Sequence, residues 1–170
     1  MSEFFAALRE RVAEARFLVP SHQMAAVERL GLLPMHRVYP CLTRGDLSSQ
    51  RRARCDLTQP IYGVNNVALL GLMTALYAGC NPIYLLGLDH DWLTTPGARC
   101  RHFYPGLTVQ NHATVAALEN GTAHSYRENV ECVLTLFRSY EVIRATADEL
   151  GVEIYNATDG GFLDVFPRVP

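Results

Sequence analysis

From Val67 to Ala78 the chain reads Val-Ala-Leu-Leu-Gly-Leu-Met-Thr-Ala-Leu-Tyr-Ala, and no other stretch constrains the fold as much. Wound as a helix it has almost no polar face, and a helix that is apolar all round belongs in an interior. Gly79 follows, suited to the left-handed turn that ends a helix. Pro82-Ile-Tyr-Leu-Leu-Gly87 then reads as a central strand, because parallel strands buried on both faces show unbroken apolar runs. That strand leads straight into Leu88-Asp-His-Asp-Trp92. Ligands of open α/β sheets bind outside the carboxyl ends of the strands. Asp89, His90 and Asp91 therefore stand where chemistry is expected.

The flanking segments fit the same class. Residues 2–15 have helical spacing of Phe5, Leu8 and Val12 behind a capping Ser2. Arg16–Pro20 has the composition of a buried strand. A second helix is expected from about His22 to Leu30, with Gly31 as its stop, and a strand at His36–Tyr39. Residues 43–60 are polar, without a period, and read as a surface loop. Arg44, Arg51, Arg52 and Arg54 make it the most basic stretch, either a solvated face or a loop that meets an anion. A long connection over about 92–121 has the composition of a lid or binding loop. A long amphipathic helix is expected from about Thr122 to Leu150, its stripe running through Tyr126, Val130, Val133, Phe137, Tyr140, Ile143 and Ala147. Gly151 stops it and Val152–Tyr155 makes a last strand. Helices alternating with strands in this way predict one α/β domain over residues 1–170, with a mostly parallel sheet flanked by helices.

Bulk properties narrow the function classes. With 170 residues there is room for one domain and a sizeable core. The formal net charge of −2 argues against a dedicated nucleic-acid binder, which carries a basic excess. Five widely spaced cysteines, with no CxxC pair, read as reduced thiols of a cytoplasmic protein. The longest apolar span, Val64–Cys80, contains Asn65 and Asn66 and is too short to cross a bilayer comfortably, so no transmembrane segment is expected.

Several residues are candidates for chemistry. Asp89 and Asp91 can hold a divalent metal beside a phosphate, orient a sugar hydroxyl or fix the tautomer of His90; the plain alternative is a capped strand-end turn. His102, His112 and His124 fall in or just after the long connection, and with His90 their spacing matches no zinc pattern, so no metal site is assigned. His124 opens the long helix, where the helix dipole lowers an imidazole's pKa and keeps it a proton acceptor at pH 7. Gly63, Asn65 and Asn66 precede the apolar helix and can present amides to a phosphate or base, or simply cap it. Tyr104, in His102-Phe-Tyr-Pro105, can give a phosphate a phenolic hydrogen bond. Asn156 and Thr158 either line a pocket or make a turn.

Two blocks together carry a resemblance. Ala75-Leu-Tyr-Ala-Gly-Cys-Asn-Pro-Ile-Tyr-Leu-Leu-Gly-Leu-Asp-His90 and Ile154-Tyr-Asn-Ala-Thr-Asp-Gly-Gly-Phe-Leu-Asp-Val-Phe-Pro-Arg168 resemble the core and the ending of the 6-hydroxymethylpterin diphosphokinase-like family. The same pattern is similar to bacterial sialyltransferases that use CMP-activated sugars and to flagellin-modifying motility accessory factors. The resemblance implies a Rossmann-like domain of a GT-A-like variant. The family's glycine-rich GNGPSL-type nucleotide loop does not occur in these residues, which implies a version without the first β-α unit. It further implies His124 as general base, Tyr104 near the departing phosphate, and Gly63, Asn65 and Asn66 on the nucleotide; His102, close to Tyr104 in sequence, is a further candidate for contact with the nucleotide or substrate.

The expected function is thus a nucleotide-dependent transferase, sialyltransferase-like, acting on a nucleotide-activated sugar and a small-molecule or glycan acceptor. The alternatives are a pterin diphosphokinase, which would use Mg²⁺ at Asp89 and Asp91, and a non-catalytic binding domain of the same family. A homo-oligomer is compatible with each.

Overall fold

The computed structural model describes Arg11, residues 14–91 and residues 125–170. The helix expected over residues 2–15, the connection over about 92–121, and His102, Tyr104, His112 and His124 lie outside the described residues.

The first unit is a right-sized β-α-β crossover. Strand β1 (Phe17–Pro20) pairs in parallel with β2 (Val38–Cys41), Phe17 opposite Val38 and Pro20 opposite Cys41. A 3₁₀ turn at Ser21–Gln23 and the short helix α1 (Met24–Arg29) make the crossover that parallel strands require. The expected strand at His36–Tyr39 begins two residues later, because Met35–Arg37 forms a 3₁₀ turn after Pro34.

The polar stretch expected to be a loop contains a strand. Strand β3 (Thr43–Asp46) pairs in parallel with β4 (Ile61–Gly63), Thr43 opposite Ile61 and Asp46 opposite Gly63. Three steps along β3 match two along β4, so the pair is bulged. Ile61 N–H donates to Leu42 O at 2.9 Å and starts the register. Asp46 then caps a 3₁₀ turn at Leu47–Ser49 by accepting from Ser48 N–H at 3.0 Å. Leu47 is fully buried and anchors this turn against the long helix α3 (Tyr126–Leu150). Ala53 N–H donates to Thr146 on that helix at 2.8 Å, and Arg52 pairs with Glu149.

Helix α2 (Val67–Tyr77) follows β4 and ends where Gly79 adopts φ 73°. Gly79 N–H then reaches Leu76 O and Cys80 N–H reaches Ala75 O, satisfying carbonyls that a helix end leaves open. Strand β5 (Ile83–Leu85) pairs in parallel with β6 (Ile154–Asn156), Ile83 opposite Ile154 and Leu85 opposite Asn156. Asn81 clasps the start of this pair, donating to Gly151 O and accepting from Glu153 N–H.

The protein is therefore mixed α/β, and the described strands all pair in parallel, two by two: β1 with β2, β3 with β4, β5 with β6. One apolar core joins the elements: Cys41, Leu47 and Ile61, then Leu69, Leu72, Met73 and Leu76 of α2, Leu85 and Ile154, and Leu136, Tyr140, Ile143 and Ala147 of α3. Leu163, Val165 and Phe166 of the following segment close it. The expectation that α2 is covered on every side is corrected. Val67 and Gly71, one turn apart, are exposed. No helix among the described residues is long and apolar enough to cross a membrane.

Candidate functional site

The carboxyl end of β5 enters a turn at Gly87, φ 73°, and reaches His90 at φ 51°. A non-glycine residue in the left-handed region is uncommon and persists where surrounding contacts over-determine it. Here those contacts come from the segment after β6. Phe162 N–H donates to Asp89 O at 2.7 Å, and Leu88 N–H donates to the Thr158 hydroxyl at 3.1 Å. Gly161 lies so close that a Cβ there would sit 2.6 Å from Asp89 Cα.

That clamping segment is itself fixed from below. Asn156, fully buried, donates from its amide to Leu163 O at 2.7 Å and accepts from Thr158 N–H at 3.0 Å. Arg168 reaches back to the carbonyls of Thr158, Gly160 and Gly161. Of the two sequence readings for Asn156 and Thr158, their hydrogen bonds go to making the turn. They hold the rim in place from beneath it.

The tripeptide Asp89-His90-Asp91 divides by direction. The Asp89 side chain is exposed and Asp91 is half-buried. His90 is buried, with Nε2 2.9 Å from the hydroxyl of Tyr140 and its ring beside Phe137 and Tyr140. Tyr140 in turn meets Phe166 edge to face, centroids 6.0 Å apart. Burial pushes the Tyr140 hydroxyl up to about 12, so it stays protonated and able to donate to a neutral imidazole. Burial also lowers the pKa of His90, partly offset by the Asp89 carboxylate.

The linkage has a definite sign. A base whose folded pKa is depressed binds more protons when unfolded, so its contribution to stability is present above the unfolded value near 6.5 and is lost as the pH falls through the folded one. The wild-type protein is thus expected to lose more stability between pH 7 and pH 5 than His90→Gln. Urea unfolding at several pH values reads the difference, and parallel profiles for the two proteins would contradict it.

The second candidate group sits between β4 and α2. Asn66 caps the helix by accepting from Ala68 N–H at 2.7 Å, while Asn65 is exposed. Gly63 has a local reason to be glycine: a Cβ there would stand 2.7 Å from Gly45 O, at the bulge of the β3–β4 pair. Asn66→Ala is expected to cost about 1 kcal/mol through loss of the cap, measured by urea denaturation; an unchanged midpoint would mean the cap is dispensable. Of the four loop arginines, Arg52 pairs with Glu149, and Arg54 donates to Pro60 O and lies 5.6 Å from the Tyr62 ring centroid. Arg44 and Arg51 are exposed.

At the start of α3, Ser125 and Glu128 form a reciprocal capping box, Ser125 accepting from Glu128 N–H at 3.2 Å and Glu128 accepting from Ser125 N–H at 2.6 Å. His124 immediately precedes this cap in sequence. Among the described residues no three His, Cys, Asp or Glu side chains gather as a metal-binding group. Cavities of about 150 and 360 Å³ run along Arg144, between α3 and the segment around Val165, and no candidate residue lines them.

Sequence reasoning missed Tyr140, Gly161 and Arg168 as the parts that shape the rim. The Gly160-Gly161 doublet was the visible signal for the close approach; Tyr140 was hidden in an apolar stripe. No family model matches the chain, and no curated protein and no solved structure matches it either.

Proposed function

We propose that the chain is a nucleotide-dependent transferase with a Rossmann-like fold, transferring a nucleotide-activated sugar in the manner of the sialyltransferases its sequence resembles. The observation that supports this reading is the turn at Gly87–Asp91. It leaves the carboxyl end of a parallel strand, holds a left-handed His90, and is clamped from below while Asp89 remains exposed. A rigid rim with one outward carboxylate suits the orientation of a sugar hydroxyl.

In this reading His124 takes the proton from the acceptor hydroxyl, which attacks the anomeric carbon as the nucleotide phosphate departs. Tyr104 donates a hydrogen bond to that phosphate, helped by the loop arginines, and His102 contacts the substrate. Gly63, Asn65 and Asn66, at the amino end of α2, meet the nucleotide. His90 serves as a positioning residue, because its ring is directed inward onto Tyr140.

One feature favours a second reading, a pterin diphosphokinase. Asp89 and Asp91 flank a single residue of the turn, and Mg²⁺ is commonly held by one or two carboxylates together with substrate phosphates. In that case the two aspartates would hold the ion, and the ion would neutralise phosphate charge.

The test is thermal stability with CMP, UDP, GDP or ATP, each with and without Mg²⁺. A ligand at a hundred times its dissociation constant adds about 2.7 kcal/mol to the folded state. A rise with CMP that ignores Mg²⁺, followed by loss of transfer in His124→Ala with CMP binding kept, is the expected result. A rise that needs both ATP and Mg²⁺ moves the assignment to the diphosphokinase. Binding without turnover of any donor makes the domain a binding module, and no rise with any nucleotide overturns all three.

A further inference from the structure

Arg168 donates from Nη1 to Thr158 O at 3.1 Å and to Gly160 O at 2.5 Å, and from Nη2 to Gly161 O at 2.8 Å. Three carbonyls of one four-residue stretch thus converge on a single cation. The chain takes that course through two successive glycines with positive φ, a conformation other residues rarely adopt. Arg168 is itself fixed by its neighbours: Asn156 N–H donates to Pro167 O at 2.8 Å, and Val169 N–H donates to Asn156 O at 3.1 Å. The stretch it gathers is the one that grips the Asp89 turn, through the Thr158 hydroxyl on Leu88, the close approach of Gly161, and Phe162 N–H on Asp89 O. Apolar burial does not hold this stretch. Asp159, Gly160 and Phe162 are exposed, whereas the residues that anchor the segment in the core, Leu163, Val165 and Phe166, come after it.

We infer that Arg168 is a positioning residue for the Asp89 carboxylate, acting on the reaction through the loop it gathers and never touching substrate. The inference rests on the transferase reading, in which that carboxylate orients a sugar hydroxyl. The side chain must be arginine, because a planar guanidinium presents several N–H donors in fixed directions, and a lysine ammonium is a point charge on a flexible stem. Displacing a reacting group by about 1 Å, from a mutation remote from the chemistry, is enough to cost about a hundredfold in rate.

This role has a kinetic signature that a structural one lacks. In the transferase reading the nucleotide meets Gly63, Asn65 and Asn66, which lie between β4 and α2 and not on the clasp. Loss of Arg168 therefore lowers kcat and leaves the KM for the donor near its wild-type value. An arginine that only supported the fold would change both. It would also cost the same whether or not Asp89 was present, whereas a residue that acts through Asp89 has nothing to act on once that carboxylate is gone.

The test combines steady-state kinetics, with CMP-activated sialic acid and lactose as probes, and amide hydrogen exchange of the whole chain. Arg168→Ala should lower kcat at least about tenfold, with no further loss when it is added to Asp89→Ala. Arg168→Lys should stay closer to the alanine variant than to the wild type. Exchange needs no substrate: the Phe162 amide should exchange at least about tenfold faster in Arg168→Ala, while the Tyr140 and Ile143 amides of α3 keep their wild-type rates. Equal costs with and without Asp89, a lysine variant as active as the wild type, an unchanged Phe162 amide, or faster exchange throughout α3 overturns the inference. A wild type that transfers no sugar overturns the transferase reading instead, and the exchange rates then decide by themselves whether Arg168 fixes the Asp89 turn.

Discussion

Gly161→Ala is expected to destabilise the protein by about 2–4 kcal/mol, and Gly160→Ala by only about 1 kcal/mol. Both glycines have positive φ, 73° and 72°, so both substitutions carry the backbone cost of an L side chain in the left-handed region. Only at Gly161 does the new methyl meet anything. It would lie 2.6 Å from Asp89 Cα and 2.9 Å from Asp89 C, atoms of a main chain that cannot swing aside as a side chain can. At Gly160 there is nothing within 4 Å. The neighbouring pair therefore separates steric contact from backbone strain at nearly constant conformation. Denaturant unfolding of both variants gives the two costs. Equal losses would mean that the rim yields to the methyl and is not rigidly clamped.

The second large effect is expected at Tyr140. Its side chain is fully buried against Phe166 and His90, so Tyr140→Ala leaves a cavity of aromatic size and should cost about 3–5 kcal/mol. Tyr140→Phe keeps the ring and removes the hydroxyl that meets His90 Nε2, at an expected cost of about 1–3 kcal/mol. The smaller variant also carries the functional information. If the ring of His90 is what keeps the Asp89 rim in position, the proposed function has Tyr140→Phe lower transfer from the activated sugar without unfolding the chain. A phenylalanine variant as stable and as competent as the wild type would remove the Tyr140–His90 contact from the account of the rim.

Sequence pattern revealed the elements that bury a long apolar run. Helix α2, strand β5 and most of α3 were legible because Leu69–Leu76, Ile83–Leu85 and Leu136–Ala147 each fill the core with many side chains. Strand β3 was not. Thr43-Arg-Gly-Asp46 is mostly exposed and owes its extended form to pairing with β4 and to the anchors Cys41 and Leu47 on either side. Pairing across the chain overrode a local sequence that carries no strand signal. The stripe of α3 was also read too far: Tyr126 and Val130 hold helical spacing yet are exposed.

At the site, sequence located the turn and left its directions open. Asp89, His90 and Asp91 are adjacent, and strand alternation alone does not say which of them faces inward. The positive φ at His90 reverses the local path and sends the imidazole to Tyr140, a residue fifty positions away. Asn156 and Thr158 were found because polar residues after an apolar strand are conspicuous. Their task as a clasp depends on Leu163 and Leu88, whose backbone groups give no sign in a sequence.

The clasp has a consequence for the order in which the protein can be made. Leu88 and Thr158 are separated by 70 positions, and Arg168 completes the ties that hold Gly160 and Gly161. A ribosome delivers β5 long before it delivers β6, so during synthesis β5 waits with both edges bare and the rim unshaped. Only when residue 168 has cleared the exit tunnel can Asp89 be locked into place. Until then the nascent chain offers chaperones a bare apolar strand, and the Gly87–Asp91 turn is the last part to mature.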